Sequence, residues 1–187
     1  MLTPEERMSV EVVLYRPEWA EMFETLKQAV SEALDGIDFR IEHVGSTAVP
    51  GLAAKPVIDI DVILTRWEEF EEVAARLESL GFQRRGDLGI PWREAFTRSP
   101  RFAFAHNLYV CRDGMPAVEN HLKLRDYLRT HRYDAERYSA RKFELAALHP
   151  GDIDAYCRGK TELIAEFLAA AGMDEASISE IEAVNLL

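Results

Sequence analysis

Cysteine is scarce in this chain. Cys111 and Cys157 stand far apart, with no C-x-x-C spacing. That excludes a disulfide framework and a cysteine-based metal centre, and two isolated thiols suit a reducing cytoplasm. Long apolar runs are missing too: nothing approaches the roughly 20 residues that a membrane helix needs. The polar start MLTPEERM lacks the pattern of a secretory leader. Positive charge is short as well. Twenty-two Lys and Arg face 33 Asp and Glu, for a formal net charge of −11. A broad basic footprint for nucleic acid is therefore excluded, whereas a local basic pocket for a nucleotide is not. No internal repeat or low-complexity segment occurs. What remains is 187 residues with 48% apolar and 29% charged content, enough for one globular domain with a full core.

The stretch Ile41–Leu64, IEHVGSTAVPGLAAKPVIDIDVIL, organises the rest. Val57, Ile58, Ile60, Val62, Ile63 and Leu64 are β-branched or aliphatic and read as a buried strand. Side chains alternate along a strand, so Asp59 and Asp61 share one face. Two ionised carboxylates on an apolar strand repel each other and lose hydration. They require a cation, a set of donors, or a strand end open to water. Mg²⁺ or Mn²⁺ is the simplest solution, because hard cations take oxygen ligands. The plain alternative is a solvated strand face that carries two acids.

Upstream, Glu42-His43-Val44-Gly45-Ser46-Thr47 reads as a strand end, a turn without side-chain bulk, and a hydroxyl at a helix start. Gly45 permits close backbone approach to a ligand. Ser46 can donate to a phosphate, with the amides behind it as an anion site; the competing reading is a simple N-cap. At this point the segment HVGSTAVPGLAAKPVIDIDV resembles the signature of the GrpB (UPF0157) family, within the polymerase-β-like nucleotidyltransferase superfamily. Leu14–Trp19, His106–Cys111, His121–Arg129 and Tyr156–Lys160 resemble further motifs of that family, so the likeness spans nearly the whole chain. The resemblance implies that Gly45 and Ser46 contact nucleotide phosphates and that Asp59 and Asp61 bind the catalytic metal. It also implies an α+β fold: a nucleotidyltransferase-like mixed β-sheet core flanked by helices, with a C-terminal helical bundle. Within a single domain, residues 1–113 form the α/β core and 114–187 the helical part.

Local patterns supply the elements. Val10–Leu14 is strand-like. A helix starts at Pro17 and runs to about Leu34, with Trp19, Met22, Phe23, Leu26 and Val30 on its apolar stripe. Strands follow at Phe39–Val44, Val57–Leu64, Phe82–Arg85, Ile90–Thr97 and Phe102–Cys111. Thr47–Ala54 makes a short helix, broken near Pro50-Gly51, and Trp67–Leu80 an amphipathic one. Helices at Val118–Thr130, Asp134–Leu148 and Asp152–Ala171 complete the chain, followed by an acidic tail.

The superfamily often places a third acid on the last long strand. Here that strand reads His106-Asn107-Leu108-Tyr109, with no carboxylate between Phe102 and Cys111. His106 is a candidate metal ligand or general base, against a hydrogen-bonded structural histidine. Asn107 can bond a base, a ribose or a bound water. Asp113 and Glu119 are nearby acids that could approach a metal, and Arg93 is a candidate pocket residue. His121 and Arg125, four apart, share a helix face. Arg125 suits a phosphate fork or an Arg–Asp pair. Lys55, Lys142 and Lys160 are candidate phosphate contacts, with Lys160 favoured because it lies in a matched segment.

The resemblance implies transfer of a nucleoside monophosphate from a nucleoside triphosphate to an acceptor hydroxyl of unknown identity. Mg²⁺ or Mn²⁺ sits on Asp59 and Asp61, and no covalent nucleophile is required. The alternative is a non-catalytic nucleotide- or metabolite-binding module that keeps the fold without a third acid.

Overall fold

The computed structural model describes residues 10–186; residues 1–9, with the polar start, and residue 187 lie outside the described residues. Strand β2 (Ile58–Leu64) is flanked on one side by the antiparallel β1 (Phe39–Val44) and on the other by the parallel β5 (His106–Arg112), the middle strand of the sheet. Antiparallel β4 (Arg93–Phe96) and β3 (Arg84–Gly86) extend the sheet, in the order β1-β2-β5-β4-β3. The expected mixed sheet is therefore present, and helices flank it on both faces.

Alternation along β2 sends its side chains into two different worlds. Ile58, Ile60, Val62 and Leu64 enter the main core, where they meet helix α1 (Glu18–Ala33) and helix α2 (Phe70–Ser79). Trp19, Leu26 and Val30 of α1, and Val73 and Leu77 of α2, are almost fully shielded from water. Each such side chain contributes about 1.5–3 kcal/mol through burial. The opposite face carries Asp59, Asp61 and Ile63. It is covered by the C-terminal helices, with Ile63 packed on Cys111 of β5 and on Val118 of α3 (Pro116–Thr130). Helices α4 (Arg132–Leu148), α5 (Ile153–Arg158), α6 (Thr161–Ala170) and α7 (Glu175–Leu186) follow. Among the described residues, no helix is long and apolar enough to cross a membrane.

Several boundaries differ from the sequence expectation. Val10–Leu14 forms no full strand; only Val13 bridges, to Ala54. Between Gly45 and Ala54 there is a single 3₁₀ turn, Ser46–Ala48, because Pro50-Gly51 prevents its extension. The strand predicted from Phe102 begins at His106. The third C-terminal helix is two, α5 and α6, separated at Gly159-Lys160. A Cβ at Gly159 would meet the methyl groups of Leu145, so the glycine lets α5 end close against α4 without displacing that side chain.

His43 ties β1 to the core. Its ring stacks on Phe23, centroids 4.5 Å apart, and its Nε2 lies 3.1 Å from Thr47 Oγ1. The Thr47 hydroxyl donates to Val57 O, so it accepts from His43, which fixes a neutral Nε2–H imidazole. Burial, helped by the charges of Arg129 and Arg125, pushes the His43 pKa down to about 4. An unfolded chain takes up this proton near pH 6.5, whereas the folded chain resists it. The stability tied to His43 is thus complete above pH 6.5 and declines as pH falls toward 4, by at most on the order of 3 kcal/mol. Thermal unfolding between pH 7 and 4.5 is expected to be steeper in pH for the native chain than for His43→Phe. Equal slopes would remove His43 from the account.

Candidate active site

Strand register assembles the polar face. Asp59 of β2 stands opposite Val44 of β1 and beside Asn107 of β5; Asp61 stands opposite Glu42 and beside Tyr109. Asn107 donates from Nδ2 to Asp59 Oδ1 over 2.8 Å. Burial raises the Asp59 pKa above the ordinary carboxylate range, against the opposing effects of Asn107, His121 and Lys55.

Asp61 is 0% exposed. His121 of α3 reaches it with Nδ1 at 2.7 Å from Oδ2. Burial alone would lower the His121 pKa, but the charge and hydrogen bond of Asp61 outweigh it and the net shift is upward. Asp61 Oδ1 is buried with no hydrogen-bond partner. An unmet buried carboxylate oxygen costs about 1–3 kcal/mol or more, and a hard cation is the group that would satisfy it. Among the described residues no set of three or more His, Cys, Asp or Glu side chains is arranged as a metal centre. The two aspartates therefore fit Mg²⁺, a cation commonly held by one or two carboxylates, with water and substrate phosphate oxygens completing its shell. They do not form a complete protein cage.

Gly45 makes the approach of Asp59 possible. Its φ is +70°, and a Cβ there would collide with Asp59 Oδ2 and lie 3.0 Å from Cγ. The glycine expected to admit a ligand thus also admits the carboxylate. Ser46 follows, and its Oγ accepts from Lys142 Nζ at 2.9 Å. Lys142, 1% exposed, also donates to Ala53 O and lies over the Tyr138 ring, 4.3 Å from the centroid. Burial holds its pKa well below the ordinary lysine value. Expected as a phosphate contact, Lys142 instead braces the turn that presents Ser46.

Two cavities open on Asp59, one of about 250 Å³ and one of about 100 Å³, and both share Ser46 and Lys160. Lys55 lines the smaller, together with Asn107. Lys55 and Lys160 flank the Tyr156 ring, with Nζ 5.8 and 4.6 Å from its centroid. Burial lowers the Lys160 pKa. The larger cavity adds apolar walls from Val49, Leu124 and Leu128, and polar groups from His121 and Arg125.

Three further candidates take their places here. His106 extends from the opposite side of β5 to Asn107. Its Nε2 accepts from Ser99 N–H at 3.0 Å and its Nδ1 donates to Phe104 O at 2.9 Å, among Phe82, Phe102 and Phe104. Burial lowers its pKa. It is a structural histidine, remote from the carboxylate face. Arg125 donates to Glu42 at 2.6 Å, to His43 O at 3.0 Å and to Asp126 at 2.7 Å. Its fork joins α3 to β1 while one side faces the larger cavity. Asp113 pairs with Arg40 at 2.7 Å, outside the cluster. Glu42, Tyr109 and Asn120 belong to the site region and escaped the sequence reading. Alternation back from Val44 identifies Glu42 as a neighbour of the aspartate face.

Comparisons with known proteins show the family and the fold. The profile of the GrpB protein family matches residues 9–170, and the chain belongs to that family. It is 35% identical over 158 residues to the UPF0157 protein YqkA of Bacillus subtilis, spanning 84% of this chain and 46% of YqkA. It is 37% identical over 163 residues to the UPF0157 protein PA4798 of Pseudomonas aeruginosa, spanning 87% of this chain and 67% of that one. The chain thus matches about half of YqkA's length and two thirds of PA4798's. The crystal structure of conserved protein GrpB from Enterococcus faecalis superposes with a TM-score of 0.78 at 31% identity, over 91% of this chain and 99% of that one.

Gly45→Ala tests the close approach. Gly51 also has positive φ, +83°, but a Cβ there meets nothing within 4 Å. Both substitutions incur backbone strain of about 1 kcal/mol; only Gly45→Ala also displaces Asp59. Chemical denaturation is expected to give a loss at least about 1 kcal/mol larger for Gly45→Ala than for Gly51→Ala. Equal losses would mean that Asp59 does not depend on the glycine.

Proposed function

We propose that the Asp59–Asp61 face binds a nucleoside triphosphate with Mg²⁺ or Mn²⁺ and transfers its nucleoside monophosphate to an acceptor hydroxyl. The observation that carries this reading is the unmet, fully buried Oδ1 of Asp61 beside Asp59, at the foot of the Gly45-Ser46 turn. Asp59 and Asp61 would hold the cation, whose chemistry is to polarise the phosphate and lower the pKa of an incoming hydroxyl.

The chain's own groups supply position and charge. Backbone at Gly45 and the Ser46 hydroxyl face the larger cavity and would bind the β- and γ-phosphates. Lys160 and Lys55 bring positive charge to the cavity walls at Asp59. Lys142 holds Ser46 in place. His121, fixed on Asp61, closes the site on the α3 side. The nucleoside would rest on the apolar wall of Val49, Leu124 and Leu128. Orientation and electrostatic stabilisation at the phosphate account for the catalysis, with no covalent enzyme intermediate.

A second reading is a nucleotide- or metabolite-binding protein that performs no transfer. Asn107 favours it, because it occupies the β5 position beside Asp59 with an amide in place of a third carboxylate.

Calorimetric titration with ATP, GTP, CTP and UTP, with and without Mg²⁺, separates these readings. Metal-dependent binding is expected, weakened at least tenfold in Asp59→Asn/Asp61→Asn. Pyrophosphate release with an acceptor present supports transfer. Binding without release under any acceptor supports the second reading. Failure to bind any triphosphate contradicts both in their nucleotide form.

A further inference from the structure

Arg93 of β4 is a charged group next to the carboxylate face to which the proposed chemistry gives no task. Its guanidinium carbon lies 4.8 Å from the centroid of the Tyr109 ring, and Tyr109 stands beside Asp61 in register. Its Nε is buried without a hydrogen-bond partner. A buried guanidinium nitrogen left unmet is a costly arrangement, and an anion is the natural group to complete it.

Arg93 lines a cavity of about 350 Å³ on the far side of His121 from the Ser46 turn. Its body is apolar, with Ile90 and Trp92 before β4, Met115 and Ala117 at the start of α3, and Ile181 of α7. Trp92, 44% exposed, adopts φ +62°, costly for a residue with a side chain. It meets Trp67 edge-on at 5.9 Å and lies under the Arg112 guanidinium at 4.6 Å. Asn120 and His121 line this cavity and the 250 Å³ cavity alike. The two spaces therefore adjoin at the imidazole bonded to Asp61.

We propose that this cavity is the acceptor site and takes a small hydroxy acid. Its apolar body lies against Trp92 and Ile181, its carboxylate bonds Arg93, and its hydroxyl is directed past His121 toward Asp59 and Asp61. The assignment rests on the nucleotidyl-transfer reading. In the step, the acceptor oxygen bonds the α-phosphorus as the bond from that phosphorus to the bridging oxygen of pyrophosphate breaks. Pyrophosphate carries away the electron pair, and the hydroxyl proton is lost to water. Glu180 also lines the cavity, so its carboxylate offsets part of the positive charge of Arg93, which favours a monoanion over a dianionic phosphate. The volume lies within the roughly 300–1,000 Å³ range of small-molecule sites, and the net charge of −11 opposes a polyanionic acceptor.

Ligand-observed NMR on the full chain tests the assignment, with 4-hydroxyphenylacetate, its methyl ester and phenyl phosphate as probes. The acid is expected to bind at least tenfold more tightly than the ester and more tightly than the phosphate. Arg93→Gln with an unchanged circular dichroism spectrum is expected to abolish the preference for acid over ester. The acid–ester comparison needs no variant and stands if Arg93→Gln fails to fold. Equal binding of acid and ester, tighter binding of phenyl phosphate, or no binding of the acid overturns the assignment. Mg-ATP titration of the same sample separates the two levels of the argument. ATP binding without acid binding overturns this site alone. Acid binding without ATP binding overturns the transfer reading and the acceptor role with it.

Discussion

Placing two carboxylates side by side on a strand buried on both faces is the constraint to which the rest of this fold responds. Asp59 and Asp61 sit in β2, whose other side chains are all apolar and buried. Dehydrated acids in such a place need compensation, and each neighbouring element brings some. β5 supplies Asn107 to Asp59, α3 supplies His121 to Asp61, and the Gly45 turn removes a Cβ that would occupy the space of Asp59. Lys55 and Lys160 add positive charge from the loop before β2 and from the start of α6. One oxygen, Asp61 Oδ1, is still left without a partner. A structural ion cluster has little reason to leave such a group unmet, whereas a site that acquires a cation together with its substrate does.

The division of the sheet into two faces explains how this polar cluster coexists with a stable protein. One face of β2 is packed by α1 and α2 into an apolar core, and the folding free energy resides there. The other face is covered by helices whose inward groups are partly charged. Arg125 links α3 to β1 through Glu42, and Lys142 links α4 to the Ser46 turn. These buried groups serve geometry more than stability; replacing a buried ion pair such as Arg125–Glu42 by apolar groups is often neutral or better. They hold the turn and the α3 wall at fixed distances from the aspartates, a requirement of positional catalysis.

The aspartate face was legible in the sequence because it follows from a local rule: period-two alternation in a strongly apolar strand. Local patterns also disclosed the Gly45-Ser46 turn and α1, whereas the mixed sheet with flanking helices was anticipated from the family resemblance. Contacts made across long separations were not legible. Lys142 and Ser46 are 96 residues apart in the chain, and nothing near either discloses the other. His106 failed for a related reason. A strand was expected there, although from Phe102 rather than His106, but which of two adjacent side chains faces the acids depends on the register of β5 on β2, and that register places Asn107 beside Asp59. Arg93 stood out only as an arginine in a strand. Its buried, partnerless nitrogen is visible only once β4 is laid beside β5.

The central claim is that Asp59 and Asp61 await a divalent cation that arrives with a triphosphate. Anomalous diffraction from a crystal soaked with Mn²⁺ and a non-hydrolysable ATP analogue tests it most directly. The account predicts a manganese peak bonded to both carboxylates, including Asp61 Oδ1, with phosphate oxygens in its shell and the β- and γ-phosphates at Gly45-Ser46. An ordered nucleotide elsewhere, or manganese bound away from the two aspartates, would contradict it.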